Sequence, residues 1–356
     1  MNRKFLLRGL DDIHSEVFEH FWKRREEGKT GLIYLGISLT SRCNLNCVYC
    51  YSLHPKKNQL SLGEYKSLIA QAKELGAETV IICGDGEPTI DPFLLPIIQF
   101  SFEMEMNNVL VSNGLIFGDD DLCKDIHGCS AIEMVNLLKT YKTSLVLKLE
   151  SLNSETYDRV VGKKGAFRKF KQAIYNLRKA NFSDNIKLPN GVILTSVAFS
   201  SVIGKLNINE IFELRKFSHN FGAQFIAKFP SFVGNAIRNK DLFFNPYEET
   251  TRWLRVNFIR RFSDKPETLT ADEIHCGVWH YGCVIGEEGD LRLCYTSTCS
   301  PELTYLNVRN LPLKRILEER ENLFKNMLER GESCHIKRRI YESKNQGINV
   351  QILPRI

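Results

Sequence analysis

The stretch Cys43-Asn44-Leu45-Asn46-Cys47-Val48-Tyr49-Cys50 places three thiols within eight residues, shortly after an apolar run over Leu32–Ser38. That run has the composition of a buried strand, so the cysteines are predicted to lie in the loop at the carboxyl end of the strand. Cysteines grouped at such short spacings are candidate metal ligands. The stretch therefore predicts a metal site at one edge of a sheet.

Short apolar runs alternate with helix-period segments from this strand to about residue 230, which is typical of parallel strands joined by crossover helices. The predicted strands are Leu32–Ser38, Thr79–Cys83, Val109–Ser112, Ser144–Leu149, Val192–Phe199 and Gln224–Phe229. The predicted helices begin at the capping box Ser61-Leu62-Gly63-Glu64 and at about Pro92, and lie near Ala131–Thr140, Ala166–Ala180 and Glu210–Ser218. Six such units are too few for a closed eight-stranded barrel, so we predict an α/β fold built as an open, partial six-unit barrel.

The same pattern divides the chain into four segments. Residues 1–31 are predicted to form a charged, amphipathic helical segment, and residues 32–230 form the α/β core. A connector over residues 231–270 has a predicted helix near Pro246–Phe262. Residues 271–356 are predicted to form a small cysteine-rich extension with a β-hairpin and a helix.

Composition narrows the compartment and the partners. The apolar fraction is 43%, the charged fraction 25% and the net charge +6, and the basic stretches are short, so no nucleic-acid partner is expected. No run approaches the ~20 apolar residues of a membrane span, and the N-terminus lacks a signal-peptide core. We therefore expect a cytoplasmic protein without a membrane partner. Eleven cysteines in a reducing compartment favour metal ligation over disulfides.

The spacing C-x3-C-x2-C suits a cubane cluster better than a single ion. Three thiolates can hold three irons and leave the fourth open, and an open metal position can take a ligand. Zinc normally needs a fourth ligand and pairs of closely spaced cysteines. Zinc and unligated buried thiols remain the alternatives.

With this spacing the chain resembles the radical S-adenosylmethionine (SAM) superfamily over about residues 32–230. The resemblance implies that Cys43, Cys47 and Cys50 hold a [4Fe-4S] cluster whose open iron binds the amino and carboxylate groups of SAM. It also implies that one electron, from a donor such as flavodoxin or ferredoxin, cleaves SAM to methionine and a 5′-deoxyadenosyl radical, which abstracts hydrogen from a substrate. Tyr49 would then pack against the cluster or adenine, with ordinary loop packing as the alternative.

Two further motifs follow the next two strands, in the order that the resemblance implies. Gly84-Asp85-Gly86-Glu87-Pro88 resembles the family's GGEP motif, which contacts the SAM amino group through backbone carbonyls and the glutamate. Gly86 keeps the second glycine, whereas Asp85 stands where the first is usual. A plain strand–helix loop is the alternative. Ser112-Asn113-Gly114 resembles the segment near the SAM carboxylate and ribose.

The later strands add weaker candidates. Strand alternation puts Lys148 and Glu150 on one face with Val146, predicted to be the barrel interior. The resemblance implies that Lys148 pairs with the SAM carboxylate and Glu150 accepts from ribose hydroxyls, with a structural ion pair as the alternative. Ser196 is a candidate ribose contact, with core packing equally open, and Gly234-Asn235-Ala236 is a candidate adenine contact.

A second group of cysteines surrounds a predicted hairpin turn at Glu288-Gly289-Asp290. Its spacing resembles the start of the SPASM or twitch extension of some radical SAM enzymes. The resemblance implies one auxiliary [4Fe-4S] cluster that relays an electron, held by Cys276, Cys283, Cys294 and Cys334, with Cys299 as a possible substitute. A structural zinc that also uses the neighbouring His275 and His335 is the alternative.

The remaining cysteines have no ligand spacing. Cys83 is expected to be a small core residue. Cys123 and Cys129, in a segment that reads as a loop, are expected to be bystanders, with a hydrogen-donor role as the alternative.

The resemblance thus implies an oxidoreductase or maturase. We expect hydrogen abstraction from a small biosynthetic intermediate, leading to oxidation or epimerisation. Cross-linking or epimerisation of a ribosomally made peptide is the alternative. A non-catalytic iron–sulfur or zinc protein is a third reading, which the motifs at the strand ends argue against.

Overall fold

The computed structural model describes residues 23–52, 58–183, 185–187, 193–230, 234–244, 282–292 and 305–329. Residues 23–26 of the N-terminal segment are helical. The predictions for residues 1–22 and for the helix near Pro246–Phe262 lie outside the described residues. So do the predictions for Cys276, Cys294, Cys299 and Cys334.

Ten strands are described, and eight of them form one sheet. They are β1 (Tyr34–Ile37), β2 (Thr79–Ile82), β3 (Asn107–Ser112), β4 (Thr143–Lys148), β5 (Asn185–Lys187), β6 (Ile193–Thr195), β7 (Val197–Val202), β8 (Gln224–Lys228), β9 (Gly282–Ile285) and β10 (Leu291–Arg292). The order across the large sheet is β10-β9-β1-β2-β3-β4-β7-β8. From β1 to β8 all neighbours pair in parallel, which confirms the open α/β sheet of six parallel strands.

The helices that accompany the sheet are α1 (Leu62–Glu74), α2 (Leu94–Glu103), α3 (Asp120–His127), α4 (Ala131–Thr140), α5 (Ser154–Val161), α6 (Ala166–Lys179), α7 (Ile211–Phe221), α8 (Asn235–Arg238) and α9 (Leu313–Glu329). Of these, α1 to α7 connect the parallel strands β1 to β8, and α8 and α9 follow β8. The predicted capping box begins α1: the Ser61 hydroxyl accepts from the Glu64 N–H, and the Glu64 carboxylate accepts from the Ser61 N–H. An equivalent box of Ser130 and Glu133 begins α4. Among the described residues, no helix has both the length and the hydrophobicity to cross a bilayer.

Strand alternation separates an apolar core from the face that carries the polar candidates. Leu145, Leu147 and Leu149 belong to the apolar cluster that the sheet shares with the helices. Val146 and Lys148 alternate with these leucines and therefore point to the opposite face. This confirms the prediction that Val146 and Lys148 lie on the same face of β4.

The prediction of one continuous strand over Val192–Phe199 is wrong, because two strands, β6 and β7, are present there. Strand β6 pairs antiparallel with β5 in a separate hairpin, and β7 then enters the large sheet between β4 and β8. The Thr195 hydroxyl donates to the Val197 carbonyl (2.7 Å) across the break. Both strands are rich in β-formers, so local composition did not mark the boundary.

The predicted hairpin around Glu288-Gly289-Asp290 is present, and it extends the large sheet. Strands β9 and β10 pair antiparallel, and β9 also pairs in parallel with β1. Gly289 has a φ of +87°, and a Cβ there would lie 2.8 Å from the Asn307 amide oxygen, so the turn requires glycine. The last described helix, α9, adds Leu313, Ile316 and Leu317 to the apolar core.

Candidate functional site

The three cysteines of the quoted loop follow β1 and interact with one another electrostatically. Cys43 is exposed, and Cys47 and Cys50 are half-buried. Loss of solvation and, to a lesser extent, the nearby Glu87 carboxylate raise the pKa of the Cys43 thiol to about 12. Burial likewise raises the pKa of Cys47 and of Cys50. The positive charge of Lys148 opposes the shift at Cys50 without cancelling it. The raised pKa values favour protonated thiols, and metal binding would displace their protons.

The cysteine loop is held by the backbone that ends α5. The Asn46 N–H donates to the Val161 carbonyl and the Val48 N–H to the Val160 carbonyl, both at 3.0 Å. Gly162, at φ +66°, lies so close to Asn46 that a Cβ there would overlap the Asn46 backbone. The positions of the thiols therefore depend on the helix that follows β4.

The Gly84–Pro88 turn packs directly against the chain that leads into the cysteine loop. A Cβ on Gly84 would lie 2.5 Å from the Ser38 Cβ, and a Cβ on Gly86 would lie 2.6 Å from the Thr40 carbonyl oxygen. The Glu87 N–H donates to the Arg42 carbonyl at 2.8 Å. Both glycines are thus needed for the close approach of two backbones.

Glu87 is buried and accepts four hydrogen bonds. Its Oε1 accepts from the Thr89 N–H (3.0 Å), the Thr89 hydroxyl (2.7 Å) and the Ser112 hydroxyl (2.7 Å), and its Oε2 accepts from the Asn113 N–H (2.7 Å). Burial raises the pKa of Glu87, and these donors oppose that shift. The carboxylate therefore ties the turn after β2 to the end of β3. Its predicted contact with SAM remains a prediction.

Asp85 forms a buried ion pair that sequence reasoning missed. The guanidinium of Arg292, on β10, lies 2.6 Å from each Asp85 carboxylate oxygen, and its Nε lies 3.2 Å from Asp290 Oδ2. Arg292 is only 1% exposed. The one signal in the sequence was the carboxylate at position 85, where the resembling motif has glycine.

Tyr49, Lys148 and Glu150 meet at the carboxyl end of β4. The Tyr49 hydroxyl donates to Glu150 Oε1, and the Val202 N–H donates to Glu150 Oε2 at 2.9 Å. The Lys148 ammonium lies 5.7 Å from the centre of the Tyr49 ring. Burial raises the pKa of Glu150, and the positive charge of Lys148 opposes the shift. Glu150 thus fixes the tyrosine of the cysteine loop.

The model for the family described as the radical SAM superfamily matches residues 37–216, half of the 356-residue chain. The chain belongs to the radical SAM superfamily. Members of this superfamily bind a [4Fe-4S] cluster and SAM. The chemistry of the donor set fits that cluster, because one loop supplies three thiols. Among the described residues the three side chains are not gathered into a preformed metal-binding group, so cluster binding would have to draw the thiols together.

Radical SAM relatives of several activities resemble this chain. The AdoMet-dependent heme synthase of Methanosarcina barkeri is 28% identical over 185 residues, which are 50% of this chain and 45% of that protein. The mycofactocin maturase MftC of Mycolicibacterium smegmatis is 25% identical over 200 residues, or 56% and 44% of the two chains. This chain therefore spans less than half the length of either curated relative.

The fold is shared with a protein of known structure. The crystal structure of Streptococcus suis SuiB bound to precursor peptide SuiA superposes with a TM-score of 0.59 at 16% identity. The superposition covers 87% of this chain and 70% of that chain. At this identity the likeness shows the fold alone.

The remaining radical SAM motif residues lie in two different places. Ser112-Asn113-Gly114 ends β3 beside the cysteine loop, where the Asn113 side-chain amide donates to Asn44 Oδ1 (2.8 Å). Ser196 instead precedes β7, and its carbonyl pairs with the Leu145 N–H near the start of β4. The serine of β7 that pairs with Lys148 is Ser200. The structure therefore does not bring Ser196 to the site edge, and its ribose contact stays an untested prediction.

Residues 234–236 contact the radical SAM cysteine loop. The Asn235 N–H donates to the Cys50 carbonyl (2.7 Å), and its side-chain amide donates to the Cys47 carbonyl (3.0 Å). A Cβ on Gly234, at φ +60°, would lie 2.5 Å from the Cys50 carbonyl oxygen. These contacts place the segment at the site and show a loop-supporting role.

The other described cysteines differ in their surroundings. Cys83 is half-buried outside the helix-facing core, contrary to expectation, because Val80 and Ile82 point to that core and Cys83 alternates with them. Burial raises its pKa to about 12. Cys123 lies in helix α3, so the segment predicted to be a loop is helical. The thiol is buried, with its Sγ 3.6 Å from Met134 Sδ.

Cys283 is the described member of the predicted auxiliary set. It is fully buried in β9, opposite Leu35, within the apolar core, and burial raises its pKa to about 11. Because the other predicted ligands lie outside the described residues, the set of four ligands stays a prediction.

Proposed function

We propose that this chain uses SAM to generate a 5′-deoxyadenosyl radical, which abstracts hydrogen from a small biosynthetic intermediate, with oxidation or epimerisation as the outcome. The observation that carries the proposal is the meeting of three motifs at one sheet edge. The cysteine loop, the Gly84–Pro88 turn and the Lys148–Glu150 pair follow different strands, and the cysteine loop with its flanking residues contacts both of the others. The bound cluster would supply the electron that cleaves SAM.

The residues at this edge have distinct proposed roles. Cys43, Cys47 and Cys50 would hold the cluster, and the backbone of the Gly84–Pro88 turn would receive the SAM amino group. Lys148 is the cation best placed for the SAM carboxylate, since it lies beside Tyr49 of the cysteine loop. Both Glu150 oxygens already accept hydrogen bonds, one of them from Tyr49. We therefore propose two roles for Glu150: it positions Tyr49, and it accepts from the ribose hydroxyls of SAM.

Anaerobic reconstitution with iron and sulfide, followed by SAM and dithionite, tests the proposal. We expect 5′-deoxyadenosine and methionine to appear in equal amounts. SAM that stays intact with a fully loaded cluster would instead support a non-catalytic iron–sulfur protein. Zinc in place of iron after anaerobic purification would contradict both.

Maturation of a peptide is the second candidate. The similarity to the mycofactocin maturase and the fold shared with a protein bound to a precursor peptide favour it. Cell extract from deuterated medium can be separated by size and offered to the loaded enzyme. Deuterium in 5′-deoxyadenosine from the small-molecule fraction supports the first candidate, and deuterium from the peptide fraction supports the second.

We also propose that the C-terminal cysteines hold one auxiliary [4Fe-4S] cluster, which relays an electron, and that a flavodoxin or ferredoxin reduces the enzyme. Support comes from the cysteine spacing around the hairpin turn. Replacing Cys294 with alanine should remove the iron of one cluster and leave SAM cleavage uncoupled from product. Unchanged iron in Cys294→Ala would show that the assignment is wrong.

A further inference from the structure

The ion pair of Asp85 and Arg292 joins the turn after β2 to a strand 207 residues later in the chain. Arg292 Nη1 donates to Asp85 Oδ1 at 2.6 Å, and Nη2 lies 2.6 Å from Oδ2 as an ion-pair contact. Such a two-pronged pair fixes direction as well as distance. Both side chains are buried, so breaking the pair from one side would leave an uncompensated charge away from water.

Arg292 is itself held in place. Its Nε lies near Asp290, and a Cβ on Gly286 would lie 2.6 Å from that Nε, so the guanidinium stacks against the bare backbone of Gly286. Strand β10 pairs with β9, and β9 pairs with β1. The arginine is therefore a rigid support and not a mobile surface side chain.

We propose that Arg292 is a positioning residue that acts through Asp85 to hold the Gly84–Glu87 backbone in its SAM-binding shape. The inference rests on the proposed role of this turn. Asp85 sits between the carbonyl of Gly84, which accepts from the Tyr51 hydroxyl (2.7 Å), and Gly86, which packs on the cysteine loop. Any rotation of Asp85 would turn these neighbouring peptide groups.

The proposal also extends the SAM site beyond the residues that the family model matches. That match ends at residue 216, whereas Arg292 lies in the C-terminal hairpin. Asp85 replaces the glycine that the resembling motif has at this position, and a glycine could not form the pair. Asp85 and Arg292 thus act as a pair, so either residue without the other should disturb the conformation of the Gly84–Glu87 backbone.

The first test uses the cluster-free protein, so that it does not depend on catalysis. Hydrogen exchange of the amides in residues 84–87 should be about tenfold faster in Arg292→Met, which leaves the Asp85 carboxylate without its cation. It should be faster to a smaller extent in Asp85→Asn, after which Arg292 still pairs with Asp290. The double variant should exchange more slowly than Arg292→Met, since no unpaired charge is left at position 85. The control is Arg309→Met, which breaks an ion pair with Glu64 in the same region without touching the turn.

The second test measures SAM itself on the reconstituted enzyme. Arg292→Met should raise the dissociation constant and the KM for SAM about tenfold, with the iron content and the rate at saturating SAM within about threefold of wild type. The double variant should bind SAM more tightly than Arg292→Met. Addition of SAM should still change the electron paramagnetic resonance signal of the reduced cluster, at a higher SAM concentration.

The results separate this inference from the proposed function. The role of Arg292 is overturned if amide exchange in residues 84–87 is unchanged in the single variants, or if Arg309→Met changes it equally. It is also overturned if the effects of the two single variants add in the double variant. A single variant with wild-type SAM affinity overturns it as well. A wild-type enzyme that produces no 5′-deoxyadenosine, together with the predicted exchange pattern, would overturn the proposed function and leave the coupling of Arg292 to the turn established.

Discussion

The phenol of Tyr49 donates its hydrogen bond to the buried carboxylate of Glu150, 101 residues further along the chain. The same carboxylate accepts from the backbone of Val202, at the end of the neighbouring strand. One acidic group thus connects the cysteine loop with β4 and β7. These donors and the nearby Lys148 oppose the effect of desolvation, which still raises the pKa of Glu150 on balance.

Tyr49→Phe should therefore destabilise the protein even without its cluster. The ring and its contact with Lys148 remain, but a buried carboxylate loses a donor, at a cost of about 1–2 kcal/mol in the free energy of unfolding. Urea unfolding of the cluster-free protein measures the loss. Tyr175→Phe is the control, because Tyr175 is 59% exposed. Equal stability of the two variants would contradict the role given to Glu150.

Cys47→Ala should remove the SAM-binding cluster. The loop then offers two of its three thiols, so the iron attributable to this cluster and the formation of 5′-deoxyadenosine should both fall to background. Iron and sulfide analysis after anaerobic reconstitution measures the first effect, and chromatography the second. The control is Cys129→Ala, which removes a half-buried thiol distant in sequence from the cysteine loop. This variant should retain both the iron content and the formation of 5′-deoxyadenosine. A full iron complement in Cys47→Ala would mean that the cluster lies elsewhere.

Gly86→Ala should separate the turn from the cysteine loop. A methyl group there would overlap the Arg42 and Thr40 carbonyls, which belong to rigid backbone. We expect SAM cleavage to fall at least about tenfold, the effect of misplacing a reacting group by about 1 Å or less. Gly63→Ala is the matched control. Its new methyl meets only the Ser61 hydroxyl at 4.0 Å, and alanine is the better helix former in α1. Equal activity of the two variants would contradict the close-approach argument.

Glu64 should give the fold a specific acid sensitivity. Hydrogen bonds from Arg309 and from the Ser61 N–H lower the pKa of Glu64 to about 2. The stabilisation is present above the ordinary glutamate pKa of about 4.3 and is lost as the pH falls toward 2. Because the side chain is 36% exposed, solvent screening limits the effect to about 1 kcal/mol or less.

Glu64→Gln should therefore lose less stability than wild type between pH 5 and about 2.5 in urea unfolding of the cluster-free protein. Glu133→Gln is the control, since Glu133 forms the same capping box and its pKa is lowered chiefly by Ser130 and not by an arginine. Parallel pH profiles for wild type and Glu64→Gln would contradict the contribution of Arg309.

Local patterns predicted the elements that depend on neighbouring residues. The six parallel strands, the Ser61 capping box and the inward direction of Lys148 follow from periods and caps within a few residues. The cysteine loop, the Gly84–Pro88 turn and Ser112–Gly114 meet because parallel strands end at one edge. These parts of the site could be read from the sequence.

Other parts depend on long-range partners, which leave no local signal. The pairing of β9 with β1 and the position of Arg292 beside Asp85 are set by the packing of a hairpin against a distant strand. Ser196 follows a β-rich run, but the break before β7 shifts the strand relative to its neighbours. The four hydrogen bonds that Glu87 accepts also appear only when β2 and β3 lie side by side.

The pairing of β9 with β1 has a consequence for biosynthesis. The ribosome synthesises β1 before β9, and β2 can cover only one edge of β1, so the other edge stays unpaired until residues 282–285 have been synthesised. During that interval the backbone amides and carbonyls on one edge of the apolar Tyr34–Ile37 strand are unpaired and can form hydrogen bonds with another polypeptide chain. Cells expressing this protein should therefore show more insoluble nascent chain when translation pauses before the codon for Gly282 than when it pauses after the hairpin has emerged.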